Sequence, residues 1–115
     1  MNTVEPIIPQ NPNDQWHMDF KGPITTPDNY TFYILVLIDS FTKFLWTKVF
    51  EFKDCEPVAL WTKDQIIKEG PPKRMTTDNG GEFVNEVMDY IEKTLGLNKG
   101  ITSTFYMNTI TLKFT

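Results

Sequence analysis

Residues 16–23, Trp16-His17-Met18-Asp19-Phe20-Lys21-Gly22-Pro23, alternate large apolar side chains with polar ones. Trp16, Met18 and Phe20 share one parity, and His17, Asp19 and Lys21 share the other. That two-residue period marks a strand with one buried face. It predicts a strand over 15–22 that Gly22-Pro23 stops. It also places a carboxylate, Asp19, mid-strand on the polar side.

Pro27-Asp28-Asn29 follows as a turn. Thr31–Asp39 (TFYILVLID) is then the most apolar run of the chain, rich in β-branched and aromatic residues. Such a run suits a central strand covered on both faces. Residues 40–43 give another turn and 44–52 (FLWTKVFEF) a third strand, so an antiparallel meander is expected. Residues 54–69 read as a helix: Asp54 can cap it, Pro57 fits the first turn, and Ala59/Ile66 and Leu60/Ile67 recur seven apart. Gly70-Pro71-Pro72 ends it.

Residues 73–77 form a short fourth strand that leads into the turn Asp78-Asn79-Gly80-Gly81. The clearest helix covers 82–95, where Phe83, Val87, Ile91 and Leu95 are spaced by four with Val84 and Met88 beside them. Gly96 stops it, and 101–106 supplies a fifth strand. The order βββ-α-β-α-β predicts an α/β fold: a three-strand antiparallel meander plus helix-strand-helix-strand, a mixed sheet with helices packed on it. Upstream, Pro6, Pro9 and Pro12 among Asn and Gln make residues 1–14 an extended, poorly ordered lead-in. Residues 15–115 are then one domain.

Composition narrows the function. At 115 residues the chain suits one domain, and 40% hydrophobic with 14% aromatic residues is ample for a core. The net charge of −4 has the wrong sign for gripping nucleic acid by charge alone. Contact with DNA would need a local basic patch, a bound metal or basic regions elsewhere. One cysteine, Cys55, and one histidine, His17, exclude an intrachain disulfide and a Cys/His zinc site. No apolar run nears the ~20 residues that span a bilayer, and the N-terminus lacks signal-peptide character. An intracellular protein without a membrane partner is expected.

Taken singly, the acids have ordinary readings. Asp19 is a solvated acid on a polar strand face, Asp78 a turn residue that bonds nearby amides, and Glu82 a complement to a helix dipole. Together, two acids on strands of one sheet can converge on a hard divalent cation, which favours oxygen ligands. Two such ions about 4 Å apart serve phosphodiester chemistry, and placing both takes at least three carboxylates.

Trp16–Pro23, Tyr33–Phe44 (YILVLIDSFTKF) and Thr77-Asp78-Asn79-Gly80-Gly81-Glu82-Phe83 occur in an order that resembles the integrase catalytic core of retroviruses and gypsy-like retrotransposons. The resemblance covers roughly residues 15–106. It implies a ribonuclease H-like fold and DNA integration by metal-dependent cleavage and strand transfer, with Mg²⁺ or Mn²⁺ as cofactor. It further implies DNA as partner, homodimerisation as found among relatives, and a nuclear location for action on host DNA. By position, Asp19 and Asp78 correspond to the family's first two catalytic, metal-binding carboxylates. Asp39 reads as structural, and Lys43 as a candidate phosphate contact.

The family's third carboxylate is a helical glutamate whose spacing points near Phe114, yet no Asp or Glu follows Glu92 in this chain. Phe105-Tyr106-Met107-Asn108-Thr109 stands where relatives carry an aromatic, a proline and an Asn-Gly turn. The domain is therefore expected to be incomplete at its C-terminal end and weak or inactive in strand transfer. Glu82 is the candidate substitute ligand, and His17 a candidate neighbour that suits Mg²⁺ poorly. Cys55 has no second histidine with which to act as a nucleophile. The alternative function is a non-enzymatic remnant of the fold, a partner-binding or dimerisation module.

Overall fold

Strand β1 (Gln15–Thr25) carries the alternation read from the sequence: Trp16 and Met18 are buried, Phe20 is half-buried and Asp19 is exposed. The computed structural model describes residues 8–78, 82–95, 102–106 and 109–114, with the backbone alone for 102–113. The strand runs past its expected stop. Its pairing with β2 (Thr31–Asp39) shifts register between Lys21 and Ile24, so Gly22 and Pro23 form a bulge and the ladder resumes at Ile24 opposite Phe32. Proline has no amide to donate, and a bulge tolerates it.

Strand β3 (Leu45–Phe50) completes the antiparallel meander. Helix α1 (Cys55–Glu69) then leads to β4 (Arg74–Asp78), which lies parallel to β1. Helix α2 (Glu82–Leu95) follows, then β5 (Thr102–Tyr106) and β6 (Thr109–Lys113). The sheet order is β3-β2-β1-β4-β6-β5. The α/β class and its βββ-α-β-α-β order hold, with one strand added. Thr109-Ile110-Thr111-Leu112-Lys113 alternates polar and apolar residues and is rich in β-branched ones. It forms an antiparallel hairpin with β5 and takes the place beside β4, leaving β5 at the outer edge.

Both helices cover one face of the sheet. Trp16, Met18, Leu35, Leu37 and Met75 pack there against Val58, Ala59 and Ile66 of α1 and Val84, Val87, Met88 and Ile91 of α2. In α2 the expected stripe holds, with Val87 and Ile91 at its centre and Phe83 and Leu95 half-buried at its margins. In α1 only one of the two expected pairs is inside. Ala59 and Ile66 are buried, whereas Leu60 is 46% and Ile67 69% exposed. The face is completed instead by Thr62 and Gln65. Thr62 hides its hydroxyl by donating to the Val58 carbonyl at 2.9 Å. Asp54 occupies the N-cap position of α1 but makes no side-chain capping bond.

The opposite sheet face is less covered than β2's composition suggests. By pairing register it carries Ile34, Val36 and Ile38 of β2 and Leu45 and Val49 of β3. Leu45 and Val49 are 51% and 54% exposed, and no described helix packs over them. Residues 8–14, expected to be a loose lead-in, are pinned. Asp14 accepts from the Gln10 and Asn11 amides, and Asn13 donates its amide to Asp39 at 2.7 Å and its side chain to the Gly70 and Pro71 carbonyls. The remainder of that expectation, residues 1–7, lies outside the described residues.

Candidate functional site

The parallel pairing of β1 with β4 builds the site. Gln15 faces Arg74, Trp16 faces Met75, His17 faces Thr76 and Met18 faces Thr77. Paired residues of parallel strands project to the same side of the sheet. Trp16, Met18, Met75 and Thr77 are buried toward the helices, so His17, Thr76, Gln15 and Arg74 share the other, open face. Two side-chain bonds mark it: Arg74 Nε donates to Gln15 Oε1 at 3.0 Å, and His17 Nδ1 lies 2.8 Å from Thr76 Oγ1. Asp19 and Asp78 each come two residues further along, on the same parity and on strands about 4.8 Å apart.

Both acids are exposed, Asp78 at the last residue of β4. The Lys21 ammonium, next on that face of β1, lies 3.6 Å from the Asp19 carboxylate. Lys21 and Thr76 are the site neighbours that sequence reading missed. Lys21 could have been found, since it has Asp19's parity two residues on. Thr76 depends on the register between strands far apart in sequence.

The other predicted residues fall elsewhere. Glu82 opens α2, exposed, and among the described residues no three or more His, Cys, Asp or Glu side chains gather to hold a metal. The substitute role expected of Glu82 therefore has no cluster behind it. His17 is bonded to Thr76 on the rung before the acids. Asp39 is buried and accepts the amides of Asn13, Phe41 and Thr42, which makes it the organiser of the β2–β3 turn. Lys43 sits in that turn with φ 66°, at the end of the sheet where β1 begins, away from the acids. Burial, then the charges of Glu86 and Asp89, push the Cys55 thiol pKa up, which opposes a nucleophilic thiolate.

Two carboxylates on one sheet face fit one hard cation, because Mg²⁺ takes one or two carboxylates and completes its shell with water and phosphate oxygens. The donor set of the described residues stops there and does not provide for a pair of ions.

A sequence model of the integrase core domain matches residues 9–106. The chain is 32% identical over 93 residues to the Pol polyprotein of Radiation murine leukemia virus (strain Kaplan), covering 76% of this chain and 15% of that protein. It is 33% identical over 97 residues to the retrovirus-related Pol polyprotein from transposon 412 of Drosophila melanogaster, covering 84% of this chain and 8% of that protein. This chain thus spans a small fraction of either relative's length. Its meander, the parallel β1–β4 pair and the match over residues 9–106 agree, and the chain belongs to the integrase core domain family, with that family's ribonuclease H-like α/β fold.

Proposed function

We propose that this chain is the core of a retroelement integrase, acting in DNA integration, with Asp19 and Asp78 as its metal-binding carboxylates. The observation that carries the reading is that these acids lie on adjacent parallel strands, on one face, just past the end of the β1–β4 ladder. A bound Mg²⁺ or Mn²⁺ would polarise a phosphodiester there and lower the pKa of a water. The chain's own residues position and balance charge. Asp19 and Asp78 supply the oxygen ligands, and Lys21 offers the nearest positive charge to a DNA phosphate. With a net charge of −4, the contact with DNA rests on such local charge. Integration into chromosomal DNA would place the protein in the nucleus.

Strand transfer by this chain alone is proposed to be weak or absent. Residues 93–115 hold no Asp or Glu, and among the described residues no third carboxylate joins the pair. Titration with Mn²⁺ should raise the melting temperature of the parent and leave Asp19→Asn unmoved. Cleavage of a labelled DNA end should be near background in both. Robust, Asp19-dependent cleavage would overturn the weak-activity reading, and a parent blind to Mn²⁺ would remove the site.

A second reading, a non-enzymatic dimerisation module, is favoured by the open sheet face. β3 is an edge strand, and Leu45 and Val49 are exposed on it. A second copy added edge to edge would continue both the hydrogen-bond ladder and the apolar stripe across a two-fold axis.

A further inference from the structure

We propose that His17 and Thr76 are positioning residues whose mutual hydrogen bond fixes the separation of Asp19 and Asp78; this rests on reading that pair as a cation site. On the open face, β1 and β4 present successive rungs. Gln15 and Arg74 form the first and are bonded at 3.0 Å. His17 and Thr76 form the second, bonded at 2.8 Å. The two acids follow as the third. The last recorded backbone pair between the strands is Met18 with Thr77, so Asp19 and Asp78 lie just beyond the parallel ladder. Like charges on neighbouring strands repel, and β4 ends at Asp78. The second rung is the last side-chain bond between the strands before that repulsion acts.

The rung is well placed to resist it. Thr76 is buried and His17 is half-buried, so water competes less for their bond than on an open surface. Threonine is β-branched and stiff at χ1, and its hydroxyl holds the Nδ1 edge of the imidazole toward β4. The imidazole has its proposed role between the strands, not on the metal. It ties the strand that carries one carboxylate to the strand that carries the other.

Mn²⁺ binding to the whole chain, followed by the paramagnetic resonance of free Mn²⁺, tests this, with melting temperatures taken without metal. Thr76→Val keeps the shape and removes the hydroxyl. It should weaken Mn²⁺ binding about tenfold, the low end of the effect of residues behind metal ligands. His17→Phe should weaken it to the same extent, the double variant no further, and Thr76→Ser should bind like the parent. Gln15→Ala breaks the first rung only and should lower the melting temperature with Mn²⁺ affinity unchanged. Parental affinity in both Thr76→Val and His17→Phe would overturn the positioning role alone. Equal weakening in Gln15→Ala would reduce the rung to general stapling of the sheet. A parent that binds no Mn²⁺, indistinguishable from Asp19→Asn, would overturn the cation site and this role with it.

Discussion

Gly22 has φ +136°, and a Cβ there would meet Tyr33 Cδ2 at 2.7 Å and the Phe32 carbonyl oxygen at 3.0 Å. Gly22→Ala should therefore cost about 1–3 kcal/mol from backbone strain and the clash. A chemical-denaturation midpoint equal to the parent's would refute that. The same glycine shows where residue-level reading runs out. Gly-Pro is as good a bulge as a strand stop, and only the register of β2 against β1 separates the two. Asp19 and Asp78 were legible because strand parity and a turn motif are local. Lys21 was within reach of the same parity, but the relation to Thr76 was not, since it depends on how β1 meets β4. Asp14 allows a test with pH. The Gln10 amide is the main cause that holds its carboxyl below the usual range; burial opposes it, and the Asn11 amide and Lys73 add to the lowering. A folded-state pKa lowered in this way adds stability that is complete above the ordinary carboxylate range and is lost as pH falls through the lowered value. Asp14→Asn should melt lower at neutral pH, with the gap to the parent closing as pH falls below the ordinary carboxylate range. A gap constant across that range would mean that Asp14's charge carries none of it.

Helix faces are the element-scale lesson. In α2 the apolar residues lie in one stripe, and the face could be read directly. Val87 is 1% exposed, and Val87→Asp would bury an unpaired charge at a cost of several kcal/mol, about 3–5. Melting like the parent would refute the face. In α1 two heptad-spaced pairs compete, and Thr62 and Gln65 beside the inner pair disguise the buried stripe. Ile66→Ala should cost about 2–5 kcal/mol and Ile67→Ala under about 0.5 kcal/mol. Equal losses in thermal denaturation would overturn the burial assignment. The meander, both helices and β4 were legible because alternation in β1, the long apolar run of β2, helical spacing and the Gly/Pro/Asn turns between elements are all local. β6 was not. Its alternation spans only five residues at the end of the sequence, too short for the period to separate a strand from an irregular segment.

At the scale of the whole molecule, the two sheet faces have different fates. One is closed by α1 and α2 over a continuous core. The other holds the rungs of β1 and β4 and, two strands away, the exposed apolar side chains of the β3 edge. That separation lets the two functional readings be tested apart. Leu45 and Val49 face the open side from β3, with β2 between them and β1. Replacing both by lysine adds charge to an unpaired edge, a device that natural sheets use to block edge-to-edge association. If the dimerisation reading holds, sedimentation equilibrium should show the parent associating as concentration rises and the Leu45→Lys, Val49→Lys chain staying monomeric. Both side chains are about half exposed already, so thermal stability should change little. The Mn²⁺ response should also persist, because Asp19 and Asp78 lie across β2 from the substitutions. A parent that stays monomeric at every concentration would remove the module reading and leave the carboxylate site untouched. Loss of the Mn²⁺ response together with association would show instead that two copies are needed to build the site.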